Sequence, residues 1–343
     1  VSATFNIHRV VLLLGATETI APYAEAYAHY IFIAAPFMIC SFIMNNLLRF
    51  QGKASFAMVG ITVGGLLNIA LDPLFIFTLD MGTAGAALAT GLSQFISFCI
   101  LLWMCNHQDS CISISIRKFR PKLAIYREVL YGGIPSLGRQ GIASVATILM
   151  NFMCQPYGDA AIAAMSIVSR FMFFINSVII GFGQGFQPVC SYCFGAGLYD
   201  RVKKACWFCI RVSTIMLLVL SVISFPAARS IITLFRRNDP TVIEIGTLAL
   251  RLQLITLPLQ GAVIMGNMMP QSIGYGFRAT LVSTARQGIF LIPLLTIMTY
   301  TIGLLGIQCA QPLADIATFI LSLFVIRGIF KEFPEDASSF AAQ

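Results

Sequence analysis

Charge is scarce in this sequence. Asp and Glu together number 14 in 343 residues, His numbers 3, and charged residues make up only 10%. A soluble domain carries roughly 25%, so an ordinary water-facing surface is excluded. Also missing is the strict alternation of polar and apolar residues that a membrane barrel requires. There is no His-Glu-x-x-His, no Gly-x-Ser-x-Gly and no phosphate-binding loop, and the histidines are dispersed. An intramembrane enzyme built on those chemistries is therefore excluded.

What the sequence has instead is long, continuous apolar runs, with 58% hydrophobic residues. A helical membrane span needs ~20 apolar residues, and about nine such runs, 132–154 among them, follow a partial one at 1–15. The expected fold is an all-α membrane protein, a polytopic helical bundle in a lipid bilayer. The net charge of +8 then belongs to loops at the membrane surface, and nucleic acid is not an expected partner.

Ten cysteines are scattered without a disulfide framework. Cys190-x-x-Cys193 and Cys206-x-x-Cys209 mimic a four-thiolate zinc pattern. Each pair lies in or beside an apolar helical run, where Cys acts as a small hydrophobe. Packing is expected, and no metal centre.

Polar residues inside the runs are the candidates for function. Asn68-Ile-Ala-Leu-Asp72-Pro73 lies deep within the apolar run 54–78. A carboxylate near the bilayer midplane is costly and marks a functional site by default. Four apart on a helix, Asn68 and Asp72 share one face. Pro73 has no N–H to offer the Ile69 carbonyl. That face presents a carboxylate, an amide and a loosened carbonyl, which suits a proton or a hard cation. Asp72 lies nine residues before Met81, where the chain turns, and Thr90 nine after it. The two are therefore expected at one depth on adjacent antiparallel helices. The plainer alternative is an Asp-Pro kink with a neutral, hydrogen-bonded carboxyl.

The two halves repeat. Pro36 matches Pro258, Asn45 matches Asn267, Gly52 matches Gly274, Pro73 matches Pro293, and Gly82-x-x-Gly85 matches Gly303-x-x-Gly306, at an offset of about 220 residues. In this register Val1 falls opposite a residue midway through a span, so about ninety further residues are expected ahead of it. The halves differ at their acids: Asp72 faces Ile292, and Gln94 faces Asp315. Thirteen Lys and Arg side chains collect on one side, from Arg49 and Lys53 through Arg117–Arg127 to Arg327 and Lys331. Only Arg229, Arg236 and Arg237 lie near span ends on the other. The crowded side, comprising the 106–127 stretch, a basic loop read over 195–204 and the C-terminus, is expected in the cytoplasm.

Several of these motifs, in this order, resemble the multidrug and toxic compound extrusion (MATE) family, in its bacterial multidrug-exporter branch. They are Asn68-x-x-x-Asp72-Pro with Gly82-x-x-Gly85-Ala-Ala-Leu-Ala-Thr90, Arg49-x-Gln51-Gly52, Gly158-Asp159-Ala-Ala-Ile-Ala-Ala, and Gln184-Gly-Phe-Gln187-Pro with Gly195-Ala. The resemblance spans nearly the whole chain. It implies two related six-helix lobes around a cavity and export of lipophilic cations against Na+ or H+. It implies a monomer in the bacterial cytoplasmic membrane with no cofactor beyond the coupling ion. Residues 1–105 would be the family's helices 3–6, 106–127 a linker, 128–330 helices 7–12, and 331–343 a tail.

One branch of the family binds its cation with an Asp on the first helix, the Asn and Asp of the Asn-x-x-x-Asp motif, and a Thr on the sixth helix. Asn68, Asp72 and Thr90 match the last three; the first would lie ahead of Val1. Another branch uses a Glu on the seventh helix, where this chain has Arg139 and Gln140. Asp315 is a candidate second proton site or a paired packing group. Arg139, Gln140, Asn151, Gln260 and Arg286 either line a cavity or bond between helices. The competing function is a flippase of lipid-linked precursors, whose anion cavity would draw on Arg139, Arg170, Arg211, Arg251 and Arg286.

Overall fold

The computed structural model describes Ile7 and residues 21–107, 122–236 and 239–333; among these, every regular element is helical. Exposed apolar side chains cover the helices, with Phe77 78% and Phe173 72% accessible. Surfaces of that kind need lipid as solvent. Eight of the described helical segments are long and apolar enough to cross a membrane, and the chain is an all-α polytopic membrane protein. The span expected in 1–15 lies outside the described residues. The one expected in 132–154 is helical, but Arg139, Gln140 and Asn151 dilute its hydropathy.

The chain divides into two units, Val1–Arg120 and Pro121–Gln343. The first contains α1 (Ala21–Phe50), α2 (Ala54–Pro73) and α3 (Gly82–His107), with a π-helical turn, Leu74–Thr78, continuing α2. α1 packs mainly on α3. Phe37 of α1 meets Phe95 and Phe98 edge-on, at centroid distances of 5.0 and 5.4 Å, a favoured aromatic geometry. The expected linker falls largely on 108–121, outside the described residues.

The second unit holds α4 (Leu123–Cys154), α5 (Asp159–Gly195), α6 (Tyr199–Phe235), α7 (Pro240–Thr256), α8 (Gln260–Ser272), α9 (Gly276–Thr284), α10 (Leu291–Ile302) and α11 (Leu304–Glu332). A 3-10 turn, Leu257–Leu259, separates α7 from α8 at Pro258, and a π-helical turn, Ala285–Phe290, joins α9 to α10. Leu250, Leu254, Leu257, Met265, Met269 and Ile307 are fully buried in its core.

One expectation is corrected. Residues 195–204 are not a basic loop: only 196–198 lie between α5 and α6. Gly197, at φ 72°, and the Leu198 N–H bonded to Cys193 O at 2.9 Å close the turn. Arg201, Lys203 and Lys204 therefore ride on the first turns of α6. α6 has 37 residues, about 55 Å at ~1.5 Å per residue. That exceeds the ~30 Å hydrocarbon core, so it extends past the hydrocarbon.

The repeat has a counterpart in backbone and side chains. Gly52 and Gly274 both hold positive φ, 78° and 87°, as do Gly82 and Gly303, 53° and 69°. Just before the first pair, Asn45 Nδ2 donates to Ala57 O at 2.7 Å, and Asn267 Nδ2 donates to Ala279 O at 2.6 Å. Each amide staples the helix before the turn to the helix after it.

Candidate functional site

Four-residue spacing builds the first candidate site. Gly60, Gly64, Asn68 and Asp72 form one stripe along α2. A Cβ on Gly64 would stand 2.9 Å from Ser97 Cβ, and one on Gly60 would collide with Leu101. Without those carbons the two helices approach closely, as small residues permit inside membranes. Ser97 Oγ seals the approach by donating to Gly60 O at 2.8 Å.

Higher on the stripe, that closeness brings Asn68 within reach of α3. Its Nδ2 donates to Asp72 Oδ1 at 3.3 Å and to Thr90 Oγ1 at 3.4 Å. The Thr90 hydroxyl is itself a donor, to Ala86 O at 3.0 Å, which turns its lone pairs toward the amide. All three side chains are partly buried. The sequence-predicted trio thus meets around one amide. Among the described residues Asn68 is the hydrogen-bond donor to Asp72, so the carboxylate keeps acceptor capacity for a proton or cation.

Pro73 leaves a local mark. The Leu74 N–H bonds to Leu71 O, three residues back, and the helix proceeds as the π turn 74–78. Such turns recur at functional sites. The carboxylate therefore sits where the backbone ladder changes type.

The second carboxylate is differently housed. Asp315 on α11 is 1% exposed. Arg286 Nε and Gln311 Nε2 donate to its Oδ1 at 2.8 and 3.2 Å, and Gln260 Nε2 donates to Oδ2 at 2.8 Å. Arg286 comes from the π turn after α9, and Gln260 opens α8 directly after the 3-10 break at Pro258. Gln260 Oε1 is buried without a partner among the described residues. Charge and hydrogen bonds are otherwise met.

Of the second-half candidates, Asp315, Gln260 and Arg286 come together. Gln140 and Asn151 are exposed on α4 and are not among Asp315's partners; the Arg139 side chain lies outside those described. Sequence reasoning missed Gln311. Its signal was available: it lies four residues before Asp315, on the same helical face. Arg251 lies over the Phe225 ring at 5.5 Å. With Arg286 held by Asp315, two of the five arginines that an anion cavity would draw on have other contacts.

Cys190, Cys193, Cys206 and Cys209 are buried in the hydrophobic core. Among the described residues no three His, Cys, Asp or Glu side chains gather closely enough for a metal ion.

The MatE family model matches residues 1–74 and 135–301. The multidrug export protein MepA of Staphylococcus haemolyticus is 27% identical over 328 residues, covering 96% of this chain and 72% of that protein. MepA of Staphylococcus saprophyticus is 28% identical over 322 residues, covering 94% and 71%. Among solved structures, a multidrug resistance MATE family transporter in an outward-facing conformation superposes with TM-score 0.88 at 24% identity, covering 96% of this chain and 74% of that one. A MOP superfamily transporter from Pyrococcus furiosus gives 0.89 at 24% identity, covering 97% and 76%.

Proposed function

The chain belongs to the MatE family, and from that premise we propose that it is a secondary active exporter, moving lipophilic or cationic drugs and toxins out of a bacterial cell against H+ or Na+. It is a transporter and not an enzyme. The cytoplasmic membrane is its place, with the Lys/Arg-rich side facing the cytoplasm.

The observation that carries the coupling reading is the Asn68 amide shared between Asp72 and Thr90 beside the Pro73 break. An ionised Asp72 accepts the Asn68 hydrogen bond and can hold a cation through its free oxygen. A protonated Asp72 becomes a donor and must rearrange its partners. If the two forms favour different bends at residues 73–78, loading the site shifts the population between inward- and outward-open states. Export follows when the drug prefers one of those states.

Reconstituted protein in proteoliposomes tests this with ethidium as the probe. An imposed Na+ or pH gradient should drive ethidium movement, and collapsing that gradient should stop it. Movement unchanged by either gradient would sink the coupled reading.

A further inference from the structure

An open groove of about 590 Å³ lies on the surface of α6, lined by Lys203, Lys204, Trp207, Phe208 and Arg211. It has no part in either carboxylate site. Three cations and two aromatic rings line it. Asp200, the acid of α6's first turn, lies outside the lining. The surface groove at Arg229 and Arg251 differs, because Glu244 offsets its charge.

Position along the helix gives this composition meaning. Lys203 and Lys204 ride on the first turns of α6, at the end that projects beyond the hydrocarbon. Trp207 and Phe208 follow one turn later, 36% and 63% exposed, at the depth where aromatic rings settle in a membrane interface. Arg211 is another turn inward and lines the same groove. Side chains on a helix lean toward its N-terminus, which gives a long arginine reach back toward the surface and the lysines. The positive end of the helix dipole adds to the same field. Lys203, Trp207 and Arg211 are spaced four apart and share one face. A negative group at headgroup depth, carrying an acyl chain beside the rings, fits this arrangement.

We propose that the groove binds the phosphate headgroup of an anionic phospholipid, with the acyl chain lying along Trp207 and Phe208. Polybasic clusters beside a membrane attract anionic lipid in this way, and here the charges are fixed on one rigid helix.

The chain has two tryptophans, Trp103 and Trp207, so Trp103→Phe leaves Trp207 as the reporter. The protein is reconstituted in vesicles of phosphatidylcholine with either phosphatidylglycerol or further phosphatidylcholine brominated near the glycerol end of the chains. Quenching of Trp207 measures relative lipid binding. A preference of about fivefold for phosphatidylglycerol is expected, reduced by high salt. Combined Lys203→Gln, Lys204→Gln and Arg211→Gln should bring the ratio to unity. Equal quenching by both lipids in the Trp103→Phe protein would overturn the proposal. So would a preference that survives either high salt or the three substitutions.

Discussion

Two carboxylates sit deep in this membrane protein, and the structure treats them in opposite ways. Asp72 is partly buried, accepts from one neutral amide and adjoins a break in its own helix. Asp315 is 1% exposed and held by Arg286, Gln260 and Gln311 from three separate elements. A buried charge that is fully paired has no reason to change partners, and removing either member leaves the other stranded. A carboxylate with spare acceptor capacity can exchange its partner at little penalty. Under the proposed coupling, the state of a carboxylate's hydrogen bonds matters more than its burial. By that criterion Asp72 is suited to coupling, and Asp315 to holding α8, the π turn and α11 together.

The largest expected effect breaks or keeps this contrast directly. Asp72→Asn preserves shape and removes the carboxylate. Ethidium efflux from cells should fall to background while the protein's membrane level stays the same. If Asp72→Asn exports normally and Asp315→Asn does not, the roles are reversed.

Asp315→Asn should act on stability instead. It strands the Arg286 charge, a loss of about 3 kcal/mol on the scale of broken buried pairs. Thermal unfolding of the detergent-purified protein measures it. Replacing both partners, Asp315→Leu with Arg286→Met, should recover much of that loss, because neither charge is then left unmatched. A double variant no more stable than Asp315→Asn would argue against a structural pair.

Smaller effects sharpen the description of the Asp72 site. Asn68→Ala removes a hydrogen bond to a charged acceptor and should weaken the apparent affinity for the coupling ion roughly tenfold. Thr90→Ala removes one neutral partner and should shift it by only about threefold. Ion-concentration dependence of transport reads both, and a larger effect at Thr90 than at Asn68 would mean that the amide is not the centre of the site.

The smallest effects concern what the halves share. Asn45→Ala and Asn267→Ala each delete one side-chain staple of the same geometry, and each should destabilise by about 1 kcal/mol. Unequal losses in thermal unfolding would show that the repeat preserves the bond without preserving its energetic role.

Much of this was legible in the chain. Asn68 and Asp72 announced a shared face through their spacing, and equal distances from Met81 placed Thr90 opposite. The matched asparagines and positive-φ glycines were visible as a repeat. Gln311 shares a face with Asp315 through its four-residue spacing, but spacing alone does not say which side-chain rotamer closes the bond. The charges at 201–204 suggest a loop, whereas a helix longer than the hydrocarbon carries such residues past it.

The sequence by itself determined the solvent, the helices, the repeat and the faces on which polar residues lie. Hydropathy and helical periodicity are sums over neighbours in the chain, so they need no knowledge of other helices. Only the tertiary structure decided which polar residues met. Gly60 and Gly64 set the approach of α2 to α3 and thereby brought Asn68 to Thr90. The break at Pro258 and the π turn at 285–290 delivered Gln260 and Arg286 to Asp315. Hydrogen bonds form only within about 3.5 Å, and that distance is set by how helices approach and rotate, not by any residue's own nature.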